Sequence, residues 1–177
     1  CWRRRRPPGS TLSPHTTLCR LVRIFAHEKN LDLEFVTVDL MGGENRQEDY
    51  LAKNPTGQLP CLETDDGAFI SETLVICEYL EDVQPDPVLI GSTAKEKATT
   101  RLWTRRTELA ITQPMADGFR FSDGLAPFKD RIRTIPEAAD GLTSKARDGL
   151  PWLAAPTPAP VFAPSSNFTP ARLPANP

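Results

Sequence analysis

The sequence is poor in the residues that metal sites and disulfide frameworks require. It has four cysteines and two histidines among 177 residues. No two cysteines have the C-x-x-C spacing that is typical of a zinc site or a redox dithiol. We therefore expect no metal, and free thiols that are buried or half-buried in a reducing cytoplasm.

Long apolar runs and a strong charge of one sign are also absent. No stretch approaches the length that a membrane span needs, and a net charge of -2 provides no general attraction to nucleic acid. The start of the chain, Cys1 to Pro8, is charged like an export signal but lacks the apolar segment that must follow. These absences favour a cytoplasmic protein that binds neither nucleic acid nor membranes.

Both ends of the chain differ in composition from the middle. Residues 154–177 hold seven of the 18 prolines and one charged residue, with no helical or strand period. Residues 1–8 contain four arginines and two prolines, and both residue types argue against a place inside a sheet. We interpret these ends as disordered or aberrant tails, and a shifted reading frame is a second explanation. The full length of 177 residues suits one ordinary domain or two small ones.

The first half of the chain alternates helix and strand signals. Ser13 and Pro14 have the order of an N-cap followed by a first-turn proline. The helix that they begin runs to about Lys29, with apolar residues at helical spacing: Leu18, Leu21, Val22 and Phe25. Further predicted elements are a strand at 33–38, a short helix near 47–51, a hairpin of 61–64 with 68–70, and a buried helix at 73–82.

The second half has helical signals only. Thr93-Ala94-Lys95-Glu96 is a capping box that begins a helix. Its predicted inner face consists of Ala98, Leu102 and Leu109. Pro114 should kink or end this helix. A last helix is predicted from Glu137 to about Leu153, with three residues inward: Leu142, Ala146 and Leu150.

A proline-containing motif precedes the predicted hairpin. Pro60 ends the motif Asn54-Pro55-Thr56-Gly57-Gln58-Leu59-Pro60 and opens a predicted strand. Proline cannot donate to the ladder, so it is tolerated at the first or an edge position of a strand. A cis peptide bond there would turn the backbone of Leu59 outward, free to hold an extended peptide as an added strand.

A second cluster, Ile70-Ser71-Glu72-Thr73, begins ten residues after Pro60. It stands at the start of the predicted buried helix, and the N-terminus of a helix offers free N–H groups and a positive dipole end to an anion. Taken alone, the cluster is more typical of an ordinary helix cap with an acidic first turn.

The spacing of these two clusters, followed by Glu78-Tyr79-Leu80-Glu81, resembles the glutathione-binding domain of the glutathione S-transferase family. Ser13-Pro14 resembles the active-site start of its bacterial-type members. Residues from about 9 to 90 carry the resemblance, which continues more weakly to about 153. It implies an α/β thioredoxin-like domain at 9–84 and an all-α domain at 92–153. The second domain is expected to be incomplete, since the family usually has more helices there.

The resemblance implies a role for five residues in binding glutathione. Glu72 would pair with the α-ammonium group, and Thr73, where family members usually have serine, would donate to the α-carboxylate. Leu59, beside Pro60, would hold the cysteinyl backbone. Gln58 could reach a terminal carboxylate or lie in solvent as a turn residue.

Activation of the glutathione thiol is assigned to a hydroxyl at the first helix. A thiol with a pKa of about 8.5 is mostly protonated at neutral pH, and only the thiolate attacks. Ser13 would donate a hydrogen bond to the sulfur, or it could serve as an N-cap alone. The spacing from Ser13 to Val22 is about one turn longer than the family pattern. Ser10, Thr16 or Thr17 could therefore carry the working hydroxyl.

The implied activity is transfer of glutathione, the co-substrate, to a small hydrophobic electrophile by a homodimer. Two alternatives are a non-catalytic module that binds glutathione or a protein, and a non-functional gene fragment. Nothing in the second half identifies the electrophile. Trp103, Arg106 and Phe119 could line its site, although aromatic residues at helical spacing usually belong to a core. Cys61 is expected to pack rather than react.

Overall fold

The structure, a computed structural model, describes residues 2–4 and 17–154. The chain divides into two compact units, Cys1–Ile90 and Gly91–Pro177. The domain boundaries that the resemblance implies, 9–84 and 92–153, stay predictions. An α/β unit followed by a helical one agrees with the predicted order.

The first unit contains four strands and three α-helices among its described residues: β1 (Trp2–Arg4), α1 (Thr17–Glu28), β2 (Leu33–Phe35), α2 (Glu48–Leu51), β3 (Cys61–Glu63), β4 (Phe69–Ser71) and α3 (Thr73–Val83). A 3-10 turn, Glu44–Arg46, precedes α2. The strand order is β2-β1-β3-β4. Strand β1 is antiparallel to β2 and parallel to β3, and β3 is antiparallel to β4. Gly67, at the hairpin turn, has the positive φ of 83° that the Asp-Gly sequence predicts.

Strand β1 corrects the prediction for the arginine-rich start. Residues 1–8 are predicted to lie outside the sheet, but the backbone of Trp2–Arg4 pairs with β2 on one side and β3 on the other. The reason is that Pro7 and Pro8 come after this short strand, so no ladder N–H is missing from it. Residues 5–8, and 155–177 of the predicted C-terminal tail, lie outside the described residues. Ala154, the first residue of that tail, belongs to a helix.

Each face of the sheet carries an apolar cluster. Leu62 belongs to a core between the sheet, α1 and α3, formed by Val22, Ala26, Leu33, Leu62, Ile76, Cys77 and Leu80. The neighbouring Cys61 belongs to a second cluster with Val38 and Tyr50. The division follows from the strand period, since successive side chains point to opposite faces.

The buried face of α1 is rotated from the predicted one. Val22 is completely buried, as predicted, but Leu21 is 43% exposed. Ala26 fills the inner position instead, because it lies four residues after Val22 on the same face. Phe25 is partly buried against the core.

A buried ion pair fastens the chain that leaves α3. The ammonium of Lys29, a completely buried residue, lies 2.5 Å from a carboxylate oxygen of Glu81. It also donates to the carbonyl of Pro87. Glu81 accepts hydrogen bonds from the backbone N–H groups of Leu89 and Ile90, both at 3.0 Å. The connecting segment is therefore tied to the core of the first unit.

The second unit contains four α-helices among its described residues: α4 (Ala94–Thr107), α5 (Gln113–Phe121), α6 (Leu125–Phe128) and α7 (Ala139–Ala154). A 3-10 turn, Pro136–Ala138, precedes α7. The predicted capping box is present: Thr93 Oγ1 accepts from the N–H of Glu96 at 3.2 Å, and the Glu96 carboxylate accepts from the N–H of Thr93 at 3.0 Å.

The predicted inner face of α4 is wrong. No residue of α4 is buried, and Leu102 and Leu109 are 47% and 50% exposed. Helical spacing shows which side chains share a face, but it does not show whether anything covers that face. In α7 the prediction holds for Ala146, which is 6% exposed, and fails for Leu150, which is 51% exposed.

Pro114 acts through a local change of helix type. A π-helical turn, Glu108–Thr112, joins α4 to α5, and Pro114 follows it in the first turn of α5. Proline has no N–H for the carbonyl four residues earlier, that of Ala110, so regular α-helical bonding is interrupted at this point.

Candidate functional site

Two segments meet at one edge of the sheet. Cys61 of β3 is the register partner of Ser71 of β4. Because the two strands are antiparallel, the residues just before β3 lie beside those just after β4. The structure thus brings together all five of the binding residues predicted from the sequence: Gln58, Leu59, Pro60, Glu72 and Thr73.

In the segment before β3, the backbone of Leu59 has no partner among the described residues. The peptide bond between Leu59 and Pro60 is cis. The side chain of Leu59 packs against the cluster that contains Tyr50 and Cys61. Its backbone N–H and C=O make no hydrogen bond with any residue that the structure describes. These two groups are therefore available to a ligand, while Gln58 is exposed and Pro60 is buried.

The segment after β4 forms an uncapped helix N-terminus. Glu72 is the N-cap of α3, and its side chain makes no capping hydrogen bond. The N–H of Ile76 bonds to the carbonyl of Glu72, so the N–H groups of Thr73, Leu74 and Val75 have no partner within the helix. Thr73 is only 7% exposed.

Glu72 adopts an unusual backbone conformation. Its φ is 71° and its ψ is 120°, on the side of the φ/ψ map that residues other than glycine rarely occupy. Its side chain is exposed. An exposed carboxylate beside free helical N–H groups can bind the ammonium and the carboxylate of one α-amino acid group together.

Comparison with known proteins agrees with this geometry. Residues 17–83 match the family model described as "Glutathione S-transferase, N-terminal domain". The chain is 38% identical over 109 residues to Glutathione S-transferase 2 of Saccharomyces cerevisiae, a match that covers 60% of this chain and 47% of the relative. It is 42% identical over 82 residues to Maleylacetoacetate isomerase of Pseudomonas aeruginosa, covering 45% of this chain and 39% of the relative. The chain thus matches less than half the length of these two curated relatives.

A solved structure gives a broader match. A glutathione S-transferase domain-containing protein of Marinobacter aquaeolei VT8 superimposes with a TM-score of 0.73 at 31% identity, over 80% of this chain and 70% of that chain. The chain belongs to the glutathione S-transferase family. The predicted fold class, an α/β thioredoxin-like first domain followed by an all-α region, is confirmed.

In this glutathione S-transferase family member, buried polar side chains hydrogen-bond to the segment before β3. The sequence analysis missed these side chains. Tyr50 and Asn54, which are 5% and 2% exposed, donate to the carbonyl of Gln58 at 2.7 and 2.8 Å. Asn45, which is 5% exposed, donates to the carbonyl of Gly57 at 2.6 Å. Asn54 is the first residue of the motif that ends at Pro60. Its place in that motif was the only sequence signal for any of these three residues.

Arg46 is a further residue that the sequence analysis missed. Its guanidinium donates to the carbonyl of Thr56 at 3.3 Å, which places a cation near the exposed Gln58. Gly57, which lies between Thr56 and Gln58, has a φ of 64°. A Cβ at this position would lie 2.9 Å from the backbone oxygen of Asn45. Glycine is therefore required at this position.

The thiol-activating hydroxyl is not located. Ser10, Ser13 and Thr16 lie outside the described residues, and Thr17 is the first residue of α1. Ser13 stays a prediction, and so do its three alternatives.

The described cysteines are free thiols: Cys19, which is half-buried, and Cys61 and Cys77, which are buried. Burial raises the pKa of Cys61, and it raises the pKa of Cys77 to about 12. Both thiols are therefore protonated at neutral pH and are poor nucleophiles. Cys61 packs within a core cluster, as expected.

Across residues 2–4 and 17–154, no group of three or more His, Cys, Asp or Glu side chains is arranged to hold a metal ion. Over the same part of the chain, no helix has both the length and the apolar character that crossing a bilayer requires.

The three candidates for the electrophile site make contacts inside the second unit. Trp103 stacks on Trp152 with the ring centroids 5.2 Å apart. The guanidinium carbon of Arg106 lies 5.6 Å from the Trp103 ring centroid. Phe119 packs edge-on against Phe128 at 6.5 Å. Trp103 and Phe119 thus make ring contacts within this unit, although Phe119 is 54% exposed.

Proposed function

We propose that this chain binds glutathione at the sheet edge and activates its thiol to attack a small hydrophobic electrophile. One observation carries the proposal: Glu72, with its left-handed φ of 71°, stands at the uncapped N-terminus of α3 beside the unpaired backbone of Leu59. Family membership supports it. The solved structure of a glutathione transferase homolog from Sulfitobacter contains bound glutathione.

Each charged end of glutathione has a partner in this proposal. The ammonium of its γ-glutamyl residue pairs with Glu72, and the α-carboxylate accepts from the first N–H groups of α3 and the hydroxyl of Thr73. The cysteinyl backbone bonds to the N–H and C=O of Leu59 as an added strand. The glycine carboxylate lies near Gln58, and Arg46 supplies a cation for it.

Thiol activation is proposed for Ser13, with Ser10, Thr16 and Thr17 as alternatives. A hydroxyl that donates to the sulfur favours the thiolate over the thiol and so lowers the thiol pKa. We further propose a cytoplasmic homodimer, as the family resemblance implies; sedimentation at several concentrations would measure the assembly.

Replacing Glu72 tests the site. Glu72→Ala should weaken binding to glutathione at least tenfold, about 1.4 kcal/mol, because the ammonium loses its carboxylate. Glu34→Ala is the matched control, since Glu34 is an exposed acid on β2, away from this edge. Titration calorimetry with glutathione measures both variants. Equal affinities for the parent chain and Glu72→Ala would overturn the assignment.

Turnover separates the remaining possibilities. Conjugation of glutathione to a generic aromatic electrophile above the uncatalysed rate supports a transferase. Binding without turnover indicates a non-catalytic module, and absence of both indicates a non-functional fragment. The 42% identity over 82 residues to a maleylacetoacetate isomerase makes isomerisation of maleylacetoacetate the second reaction to assay.

A further inference from the structure

The carbonyl of Gln58 is held by two buried donors. The hydroxyl of Tyr50 lies 2.7 Å from this oxygen, and the side-chain amide nitrogen of Asn54 lies 2.8 Å from it. Both donors come from α2 and the turn after it, so they approach from the protein side of the loop. Two hydrogen bonds occupy both lone pairs of the carbonyl and fix its direction.

The direction of this carbonyl sets the direction of the next N–H. The Gln58–Leu59 peptide bond is trans, since the cis bonds among described residues are at Pro60 and Pro87. In a trans peptide unit the C=O and N–H point in opposite directions within one plane. Because the carbonyl of Gln58 points inward to Tyr50 and Asn54, the N–H of Leu59 points away from them.

The two donors are themselves held in place. The side-chain oxygen of Asn54 accepts from the backbone N–H of Thr56 at 3.2 Å and from its hydroxyl at 2.8 Å. Because the Asn54 side-chain oxygen accepts these two bonds, the side-chain atom that faces Gln58 is the amide nitrogen. Tyr50 packs in the cluster of Val38 and Cys61, and burial raises the pKa of its hydroxyl, which remains a donor at every working pH.

We infer that Tyr50 and Asn54 are positioning residues for the glutathione site, because they aim the N–H of Leu59 at the cysteinyl carbonyl of the ligand. Neither residue touches the ligand in this arrangement. The inference rests on the proposed function and adds two residues to it. An unclamped Gln58–Leu59 peptide could rotate, and its N–H would then be available in only part of the population.

Loss of one donor should weaken ground-state binding. Tyr50→Phe removes one of the two bonds and keeps the ring, so we expect the Kd for glutathione to rise roughly fivefold, about 1 kcal/mol. The Leu59 contact is made equally in the ground state and the transition state. KM for glutathione should therefore rise by a similar factor while kcat changes little.

The experiment compares three full-length variants with the parent chain. Tyr50→Phe and Asn54→Ser each remove one donor to Gln58. Tyr79→Phe is the matched control, because Tyr79 lies on α3 and its hydroxyl makes no hydrogen bond with a described residue. Calorimetry measures the Kd for glutathione, and NMR hydrogen exchange measures protection of the Leu59 N–H at saturating glutathione.

Weaker binding and reduced protection of Leu59 in Tyr50→Phe, with Tyr79→Phe unchanged, would support the inference. Asn54→Ser serves the same comparison if Tyr50→Phe does not fold. If the parent chain binds glutathione and neither donor variant differs from it, the positioning role of Tyr50 and Asn54 is overturned while the proposed function stands. Weaker binding with full Leu59 protection also overturns it. Absence of binding by the parent chain overturns the proposed function and, with it, the role of both residues.

Discussion

Glu72 combines a strained backbone with an exposed carboxylate. Its φ of 71° places a Cβ in a region where non-glycine residues cost about 1–3 kcal/mol. Such a conformation persists only where the surrounding chain imposes it, here between the β4 ladder and the first turn of α3. A glycine would adopt it without strain, yet the chain has glutamate. This choice fits a site where the carboxylate is needed more than the stability.

Glycine and alanine at this position should separate the two effects. Glu72→Gly should be about 1 kcal/mol more stable than Glu72→Ala, or roughly 4 °C in Tm, because only glycine relieves the strain. Both variants should lose glutathione affinity. Thermal unfolding and calorimetry on the two proteins provide the comparison. Equal Tm values would show that the backbone at this position is not strained.

Helices α5 and α7 approach each other closely at small residues. A Cβ at Gly118 of α5 would lie 2.6 Å from the side-chain oxygen of Thr143 and 3.3 Å from the backbone oxygen of Ala139. The hydroxyl of Thr143 donates to the carbonyl of Ala139 at 3.0 Å. This bond holds the Thr143 side-chain oxygen close to Gly118. The glycine thus permits the packing of the two helices.

Two glycine-to-alanine changes in these helices should have opposite signs. Gly118→Ala should destabilise the unit by about 1–3 kcal/mol through overpacking. Gly141→Ala on α7, where a Cβ meets nothing within 4 Å, should stabilise it by up to about 1 kcal/mol through helix propensity. Urea unfolding measures both. Adding Thr143→Ala should recover part of the Gly118→Ala loss, and a neutral Gly118→Ala would contradict the close contact.

Each of the two units has a carboxylate that hydrogen bonds stabilise in its charged form. In the first unit, the hydroxyl of Thr64 lowers the pKa of Asp66 by donating to its carboxylate at 2.5 Å, and the N–H of Ala68 adds to the effect. In the second, the hydroxyl of Ser92, with backbone N–H groups, lowers the pKa of Glu96 to about 2. Both groups bind protons more weakly in the folded chain than in the unfolded chain.

Acid should therefore destabilise both units, and Glu96 allows a test in the second. Its folded pKa of about 2 lies below the ordinary value of 4.5. Its contribution is thus complete above about pH 4.5 and is lost as the pH falls toward 2. Glu96→Gln cannot titrate, so its stability should depend less on pH in this window. Urea midpoints followed by tryptophan fluorescence report it, since Trp103 and Trp152 lie in this unit.

Glu137→Gln is the control for this measurement, because Glu137 is an exposed acid of the same unit that makes no hydrogen bond with a described residue. Its pH profile should match that of the parent chain. If Glu96→Gln also matched the parent, the capping-box carboxylate would not be the source of the acid sensitivity.

The sequence by itself determined the features that depend on neighbouring residues. The capping box at Thr93 and the tight turn at Gly67 each involve groups only a few residues apart, so local chemistry is enough to predict them. Apart from β1, the order of helices and strands in the first unit followed from the same signals. The sequence also predicts that the proposed binding residues around Pro60 and Glu72 lie together, since one short hairpin joins the motif to the helix start.

Only the tertiary structure decided the features that depend on distant segments. The interior place of Trp2–Arg4 results from pairing with strands more than twenty residues away. The exposure of Leu102 and the burial of Ala26 depend on which neighbours cover a helix face. The bonds from Tyr50 and Asn54 to Gln58 span only eight and four residues, but they form in an irregular turn that helix and strand periods do not describe. Periodicity reveals which residues share a face, whereas contacts between faces form only when the whole chain has folded.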